Sequence, residues 1–119
     1  MKYLLLIYEN EAQWAGVSQA EQGKIFEEYM VYTNDIKKKG HYIGGQALQP
    51  VSTATTVKVK DGKTLATDGP FAETREQLGG YYLVEAKDLD EAIAMAARIP
   101  DSRMGSIEVR PIMPTPPVD

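Results

Sequence analysis

Residues 68–82 read DGPFAETREQLGGYY. This segment opens with a tight-turn tetrad, Asp68 to Phe71, and closes with a glycine pair, Gly79-Gly80, that leads into a strand-like stretch. It is longer than an ordinary connection between two elements and carries several charged side chains. A rigid turn that presents carboxylates and a basic side chain is typical of a binding or catalytic loop. We therefore expect a functional site beside this turn.

The first part of the chain predicts a strand followed by a helix. Lys2 to Tyr8 is a dense apolar run typical of a buried strand. Residues 9–17 are predicted to form a polar loop that holds the single tryptophan. Ser18 and Glu21 form a capping box, which marks the start of a helix that Gly40 ends. Its buried stripe is expected to contain Ile25, Tyr29, Tyr32 and Ile36.

The rest of the chain predicts a hairpin, a second helix and three further strands. Asp61-Gly62 indicates the two-residue turn of a β-hairpin over residues 55–67. Asp88 can cap a helix that Pro100 closes. The expected buried stripe of this helix consists of Leu89, Ala92, Ile93, Ala96 and Ala97. The further strands are expected over residues 41–48, 80–86 and 105–112.

This order of elements predicts an α+β fold. It is β-α-β, then an inserted β-hairpin, then β-α-β, the pattern of the ferredoxin-like split βαβ arrangement. The pattern places two helices on one face of an antiparallel sheet. Seven tyrosines and several aliphatic strand residues exceed what one helix layer can bury, so we expect a homodimer of the α+β barrel type. One domain is predicted over residues 1–113, followed by a proline-rich tail over residues 114–119.

Composition excludes several classes of function. The chain has 119 residues and a net charge of −4, so it lacks the basic surface that nucleic-acid binding requires. An anionic membrane surface is disfavoured for the same reason, and no apolar run has the length to span a bilayer. With no cysteine and one histidine, a metal site of the usual Cys/His type is not expected. The sequence therefore predicts a cytoplasmic protein without metal or cofactor.

Two roles fit each polar side chain of the 68–82 segment. Asp68 can act as a general base or ligand anchor, or it can accept backbone N–H bonds as the first residue of a turn. Arg75 can clamp a substrate carboxylate with its planar fork, or pair with Glu73 within the loop. Glu73 can raise the pKa of Asp68 as a like-charged neighbour, or stay solvated.

The remaining candidates are aromatic side chains and the histidine. Phe71 and Trp14 can form the floor of an apolar pocket. The alternative for Phe71 is core packing behind the turn. His41 suits proton transfer near neutral pH, or it can satisfy carbonyl groups at the end of the first helix. Tyr29 is a core position by its periodicity, and a tyrosine of this kind can also present its hydroxyl to a cleft.

The sequence resembles the DGPF branch of the YCII-related proteins. The resemblance is carried by Asp68 to Thr74 and by Glu76 to Tyr82, with weaker matches at Gly44 to Leu48, Asp88 to Ala92 and Glu108 to Pro111. It implies a small bacterial dimer with the α+β barrel fold, often encoded beside an extracytoplasmic-function sigma factor. No established reaction comes with the resemblance, although related barrels include muconolactone isomerases and monooxygenases.

One departure from the family pattern concerns the first helix. YCII proteins resemble one another in a histidine on this helix that is proposed to pair with an acidic residue. By its spacing from the helix-ending glycine, that position falls near Tyr29 in this chain. His41 lies after the helix instead, so the proposed catalytic histidine does not carry over.

Two functional hypotheses follow. The first is a small-molecule enzyme that transfers protons without a cofactor, as isomerases or lyases do, in a cleft near the Asp-Gly-Pro-Phe turn. Asp68 would be the base, Arg75 the anion clamp and a tyrosine the proton donor. The second is a binding or regulatory module without turnover, which holds a small ligand or contacts a sigma factor.

Overall fold

The computed structural model describes residues 1–115. Four strands form the main sheet: β1 (Lys2–Glu9), β2 (Tyr42–Ala47), β5 (Gln77–Glu85) and β6 (Ser106–Pro111). The inserted hairpin is β3 (Thr55–Lys60) and β4 (Lys63–Asp68), and the helices are α1 (Glu11–Ala15), α2 (Gln19–Lys38) and α3 (Leu89–Ala97). Short 3₁₀ turns occupy Val51–Thr53 and Pro100–Arg103. Of the predicted tail, residues 116–119 lie outside the described residues.

The main sheet confirms the ferredoxin-like topology. Its strand order is β2-β5-β1-β6, and every neighbouring pair is antiparallel. This is the order that a split βαβ arrangement produces, because the third sheet strand inserts between the first two. The hairpin β3–β4 forms a separate two-stranded sheet. Its turn is the predicted one, with positive φ angles of 51° at Asp61 and 76° at Gly62.

The core lies between one face of the sheet and the two long helices. Tyr3, Leu5 and Ile7 alternate along β1 and are buried, as the period of a strand requires. They pack in one cluster with Ile36 of α2 and Ala92 of α3. Both helices therefore cover the same face, as predicted.

Short-range signals fix the starts of α2 and α3. The Ser18 hydroxyl accepts a hydrogen bond from the Glu21 backbone N–H at 3.2 Å, and the Asp88 carboxylate accepts one from the Glu91 N–H at 2.9 Å. Each bond satisfies one of the unpaired amides of a first helical turn. Both caps are those that the sequence predicted.

Two details of the prediction were wrong. The polar loop predicted over residues 9–17 contains the helix α1, because the Asn10 side chain accepts a hydrogen bond from the Gln13 N–H and caps it. On α3, the buried side chains are Ala92, Met95 and Ala96, whereas Leu89 and Ile93 are about half exposed. Compared with the prediction, α3 is rotated about its own axis, so that Ala92, Met95 and Ala96 face the sheet.

Candidate active site

The main cavity, called the α2 cavity below, lies between α2 and the sheet. Its volume is about 330 Å³, and side chains of β1, α1, α2, β2 and β5 line it together with Asp101. It belongs to the helix-covered face, where Ile25 and Thr33 of α2 form one wall. A pocket of this size is at the small end of the range for ligand sites.

Glycines of β2 and β5 allow the strands beside this cavity to approach each other closely. A Cβ atom on Gly45 would lie 2.9 Å from the Tyr81 carbonyl oxygen, and one on Gly80 would lie 2.9 Å from the Gln46 carbonyl oxygen. A Cβ atom on Gly79 would lie 2.8 Å from Oε1 of Glu9. The glycines therefore leave space for close strand approach and, at Gly79, for a carboxyl group.

Two carboxyl groups meet at this cavity. Glu9 is the last residue of β1, and Asp101 belongs to the 3₁₀ turn that follows α3. Gly105 allows this turn to approach the end of β1, since a Cβ atom there would collide with the Tyr8 carbonyl oxygen. Asp101 is only 5% exposed, which is rare for an aspartate and requires a partner.

The partner of Asp101 is a tyrosine of α2. The Tyr29 hydroxyl donates a hydrogen bond to Oδ2 of Asp101. Burial, followed by this hydrogen bond and the carboxylate charge, raises the pKa of the Tyr29 phenol above its ordinary value. Tyr29 therefore stays protonated and holds the Asp101 carboxylate in one orientation.

Glu9 differs from an ordinary surface glutamate. Burial raises the pKa of its carboxyl group, and the neighbouring charges of Asp101 and Glu11 raise it further. Glu9 therefore binds a proton more tightly than an exposed glutamic acid does.

Aromatic rings form the remaining walls. The rings of Trp14 and Phe26 meet edge to face with centroids 6.2 Å apart, and those of Tyr42 and Tyr82 do so at 6.3 Å. The Tyr82 and Thr33 hydroxyl groups share a hydrogen bond of 2.6 Å. The site thus combines an acid–base group with apolar walls that suit a compact organic ligand.

Comparison with known proteins identifies the family. The sequence profile described as YCII-related domain matches residues 1–116. The chain belongs to the YCII-related family. An uncharacterized protein of Rhizobium meliloti (strain 1021) is 33% identical over 114 residues, a match that covers 94% of this chain and 92% of the relative.

Within this YCII-related chain, two of the residues predicted from sequence line the main cavity. Tyr29, near the position at which the resemblance places a histidine, is bonded to a buried acidic residue, Asp101. Trp14, on α1, contributes one of the aromatic walls. Their roles in binding or catalysis stay predictions.

His41 lies elsewhere, at the end of α2. Its Nδ1 atom is 2.9 Å from the Glu85 carbonyl oxygen and 3.9 Å from Oε1 of Glu91. The residue does not line the main cavity. The His41 ring therefore contacts a carbonyl group of β5, whereas its backbone N–H donates to the Ile36 carbonyl of α2 at 2.9 Å.

The turn at Asp68 also lies outside the lining of the main cavity. Asp68, Glu73 and Arg75 are exposed, and Arg75 forms no ion pair within residues 1–115, so the predicted pairing with Glu73 is absent there. The Gly69 backbone holds the turn: its N–H donates to the Ala54 carbonyl at 2.7 Å. Only the second end of the 68–82 segment, from Gly79 to Tyr82, reaches the cavity.

The core-packing alternative for Phe71 was wrong. Its side chain is 79% exposed and lies against the hairpin, where Nζ of Lys58 is 5.5 Å from the ring centroid. Phe71 and Pro70 border a separate depression of about 240 Å³ beside the hairpin. A ligand role for Phe71 would therefore belong to this depression and not to the α2 cavity.

Sequence reasoning missed Glu9 and Asp101. Glu9 ends β1 and Asp101 lies in the turn after α3, and neither stands in a motif of its own. Their proximity depends on the chain returning to the end of β1 after α3, and Tyr29 and Asp101 are 72 positions apart. A signal for Asp101 was present in its place after Pro100, where a proline opens a tight helical turn.

Proposed function

We propose that the protein binds a small organic molecule in the α2 cavity and transfers protons to and from it through Glu9 and Asp101. The observation that carries this proposal is the pairing of two carboxyl groups, one buried and bonded to a phenol, at the wall of one aromatic-lined cavity. Perturbed acid groups in a concave site are typical of acid–base catalysis.

The chemistry would be a proton shift next to a carbonyl group. One carboxylate of the pair removes a proton from the carbon beside the carbonyl, and the protonated partner donates its proton to the carbonyl oxygen. The first carboxyl group then delivers its proton to a carbon of the enol while the second takes back the proton of the enol hydroxyl, so the carbonyl re-forms and the pair regains its starting state. No proton is gained or lost overall, which is the balance of an isomerisation.

Tyr29 would act as the positioning residue. Its hydroxyl is already donated to Asp101, so it fixes the orientation of that carboxylate and does not need to lose its own proton. The raised pKa of Glu9 supports a role as the member of the pair that carries the proton.

The experiment is deuterium exchange into a panel of small ketones and lactones in D₂O, followed by NMR. Glu9→Gln keeps the shape of the side chain but cannot exchange a proton, so it should slow exchange by about 10²-fold or more. Glu27→Gln removes the same charge from an exposed position of α2 and should leave the rate unchanged. Exchange that persists in Glu9→Gln contradicts the proposal.

The non-catalytic alternative is distinguished by the same panel. Compounds that bind the cavity without exchanging any proton would favour a binding module. The sigma-factor link and the cytoplasmic location that the sequence predicted stay predictions. Within residues 1–115, the structure shows no helix with the length and apolar character needed to cross a membrane.

We also propose that the protein is a homodimer. The face of the sheet opposite the helices carries Leu4, Leu6 and Tyr8 of β1 beside Tyr81 and Leu83 of β5. Leu6 pairs with Tyr81 and Leu4 with Leu83, so these side chains form one continuous apolar patch that is only half buried. A second copy of the same face would cover the patch.

A further inference from the structure

We propose that the α2 cavity selects an organic cation: an ammonium group attached to a compact apolar skeleton. This inference rests on the cavity's proposed function as the ligand site, and it adds the charge class of the ligand. It is carried by the side chains that line the cavity and by the arrangement of its aromatic rings.

The charge of the lining has one sign. Among the described residues that border the cavity, Glu9 and Asp101 carry carboxyl groups, and none is a lysine, arginine or histidine. A ligand carboxylate or phosphate would meet these groups without a cation to pair with, in a site where water screens poorly. An ammonium group would find carboxylate partners in the same place.

A lysine beside the cavity is already engaged in a contact with one of the aromatic rings that line it. Nζ of Lys37 lies 4.7 Å from the centroid of the Tyr42 ring, and Lys37 is not part of the lining. It therefore makes a cation–π contact with a ring that also borders the cavity. Lys37 is therefore engaged with this ring and does not add a positive charge to the lining of the cavity.

The aromatic rings supply the rest of a cation site. Two edge-to-face pairs, Trp14 with Phe26 and Tyr42 with Tyr82, border the cavity. Aromatic rings attract ammonium ions through the negative faces of their π systems, so an aromatic lining next to carboxyl groups suits a cation better than an anion. The volume of about 330 Å³ limits the ligand to a compact skeleton.

The test uses three probes that share one carbon skeleton and differ in charge. They are 2-phenylethylammonium, 2-phenylethanol and phenylacetate, each titrated into the full chain. Trp14 is the single tryptophan of the sequence and borders the cavity, so its fluorescence reports occupancy directly. The same titrations are made with the double variant Glu9→Gln/Asp101→Asn, which removes both carboxyl groups, and with the charge-matched surface variant Glu27→Gln/Asp68→Asn. Circular dichroism confirms that both variants are folded.

We expect the ammonium probe to bind at least about tenfold more tightly than the alcohol, and phenylacetate to bind most weakly. Glu9→Gln/Asp101→Asn should reduce the advantage of the cation over the alcohol by about fivefold or more, because it removes the negative charge of the pair. Glu27→Gln/Asp68→Asn should retain the advantage seen in the unsubstituted protein.

Three results would overturn the inference. If the alcohol or phenylacetate binds as tightly as the ammonium probe, the cavity does not select cations, although deuterium exchange can still establish its proton-transfer function. If the advantage of the cation survives in Glu9→Gln/Asp101→Asn, the carboxyl pair is not its origin. If no probe changes the Trp14 signal up to its solubility limit, the cavity is not a site for this class of ligand.

Discussion

The Glu9 carboxyl group illustrates how a single residue acquires its chemistry from the fold. The side chain belongs to the end of a strand, and Gly79 on the neighbouring strand leaves room for it. Burial and the charges of Asp101 and Glu11 raise its pKa above the ordinary value of 4.5. The native state therefore binds this proton more tightly than the unfolded chain does.

This difference has a definite effect on stability. Between pH 4.5 and the higher native pKa of Glu9, the native state carries more protons than the unfolded state. The free energy of unfolding consequently falls as the pH rises through that interval. The variant Glu9→Gln has no ionisable group at this position. Its free energy of unfolding minus that of the unsubstituted protein should therefore increase from pH 4 to pH 8. Urea unfolding at several pH values measures this difference.

Glu27→Gln provides the comparison for that experiment. It removes the same formal charge from an exposed position on α2. Its stability relative to the unsubstituted chain should vary much less with pH. A pH-independent difference for Glu9→Gln would contradict the assignment of a raised pKa to Glu9.

Among the helices and strands, burial separates positions that look alike in sequence. Ile36 of α2 and Ile93 of α3 were both predicted to face the core. Ile36 is fully buried, whereas Ile93 is 49% exposed, because the α3 stripe is centred on Ala92, Met95 and Ala96. The two isoleucines therefore contribute differently to stability.

Alanine substitution at these two positions tests the packing. Ile36→Ala should lower the free energy of unfolding by about 2–5 kcal/mol, since it removes buried methylene groups and leaves a cavity. Ile93→Ala should change it by about 1 kcal/mol or less, because half of its surface is already in water. Urea unfolding measures the free energy of unfolding of both variants. Equal losses would contradict the observation that Ile36 is buried and Ile93 is half exposed.

Local signals explain which elements could be predicted from sequence. The caps at Ser18 and Asp88 and the turn at Asp61-Gly62 each depend on residues within three positions, and the structure has all of them. Asn10 is a cap of the same kind, so α1 could have been recognised as well. Which face of α3 is buried depends on the sheet beneath it and could not be read from a stripe of small side chains alone.

The candidate site was less predictable for a physical reason. Its acidic pair consists of Glu9 at the end of β1 and Asp101 in the turn that follows α3. Tyr29 of α2 donates a hydrogen bond to Asp101. Tyr29 and Trp14 could be singled out by residue type, but their carboxyl partners could not, because no motif connects them. The Asp-Gly-Pro-Phe turn stands out in sequence because its backbone geometry is demanding, as the φ angle of 102° at Gly69 shows.

For the molecule as a whole, the face of the sheet opposite the helices is the surface at which the proposed second copy would bind. The proposed homodimer would bury the patch formed by Leu4, Leu6, Tyr8, Tyr81 and Leu83. Leu6→Glu places a charge in the middle of this patch, so it should convert the dimer to a monomer. Sedimentation equilibrium at micromolar protein concentration measures the mass.

Ile93→Glu is the matched variant for that measurement. It introduces the same side chain at an exposed apolar position of α3, on the helix-covered side of the sheet. It should leave the dimer intact. A monomer for the unsubstituted chain, or dimers for both variants, would contradict the proposed interface.

The most direct measurement of where function resides compares two aspartate-to-asparagine variants, Asp101→Asn and Asp68→Asn. Asp101 is buried at the cavity and bonded to Tyr29, whereas Asp68 lies in an exposed turn. In the deuterium-exchange assay, with circular dichroism to confirm that both variants are folded, Asp101→Asn should slow exchange by about 10²-fold or more and Asp68→Asn should leave the rate unchanged. Slow exchange in Asp68→Asn together with an unaffected Asp101→Asn would contradict the placement of the site in the α2 cavity.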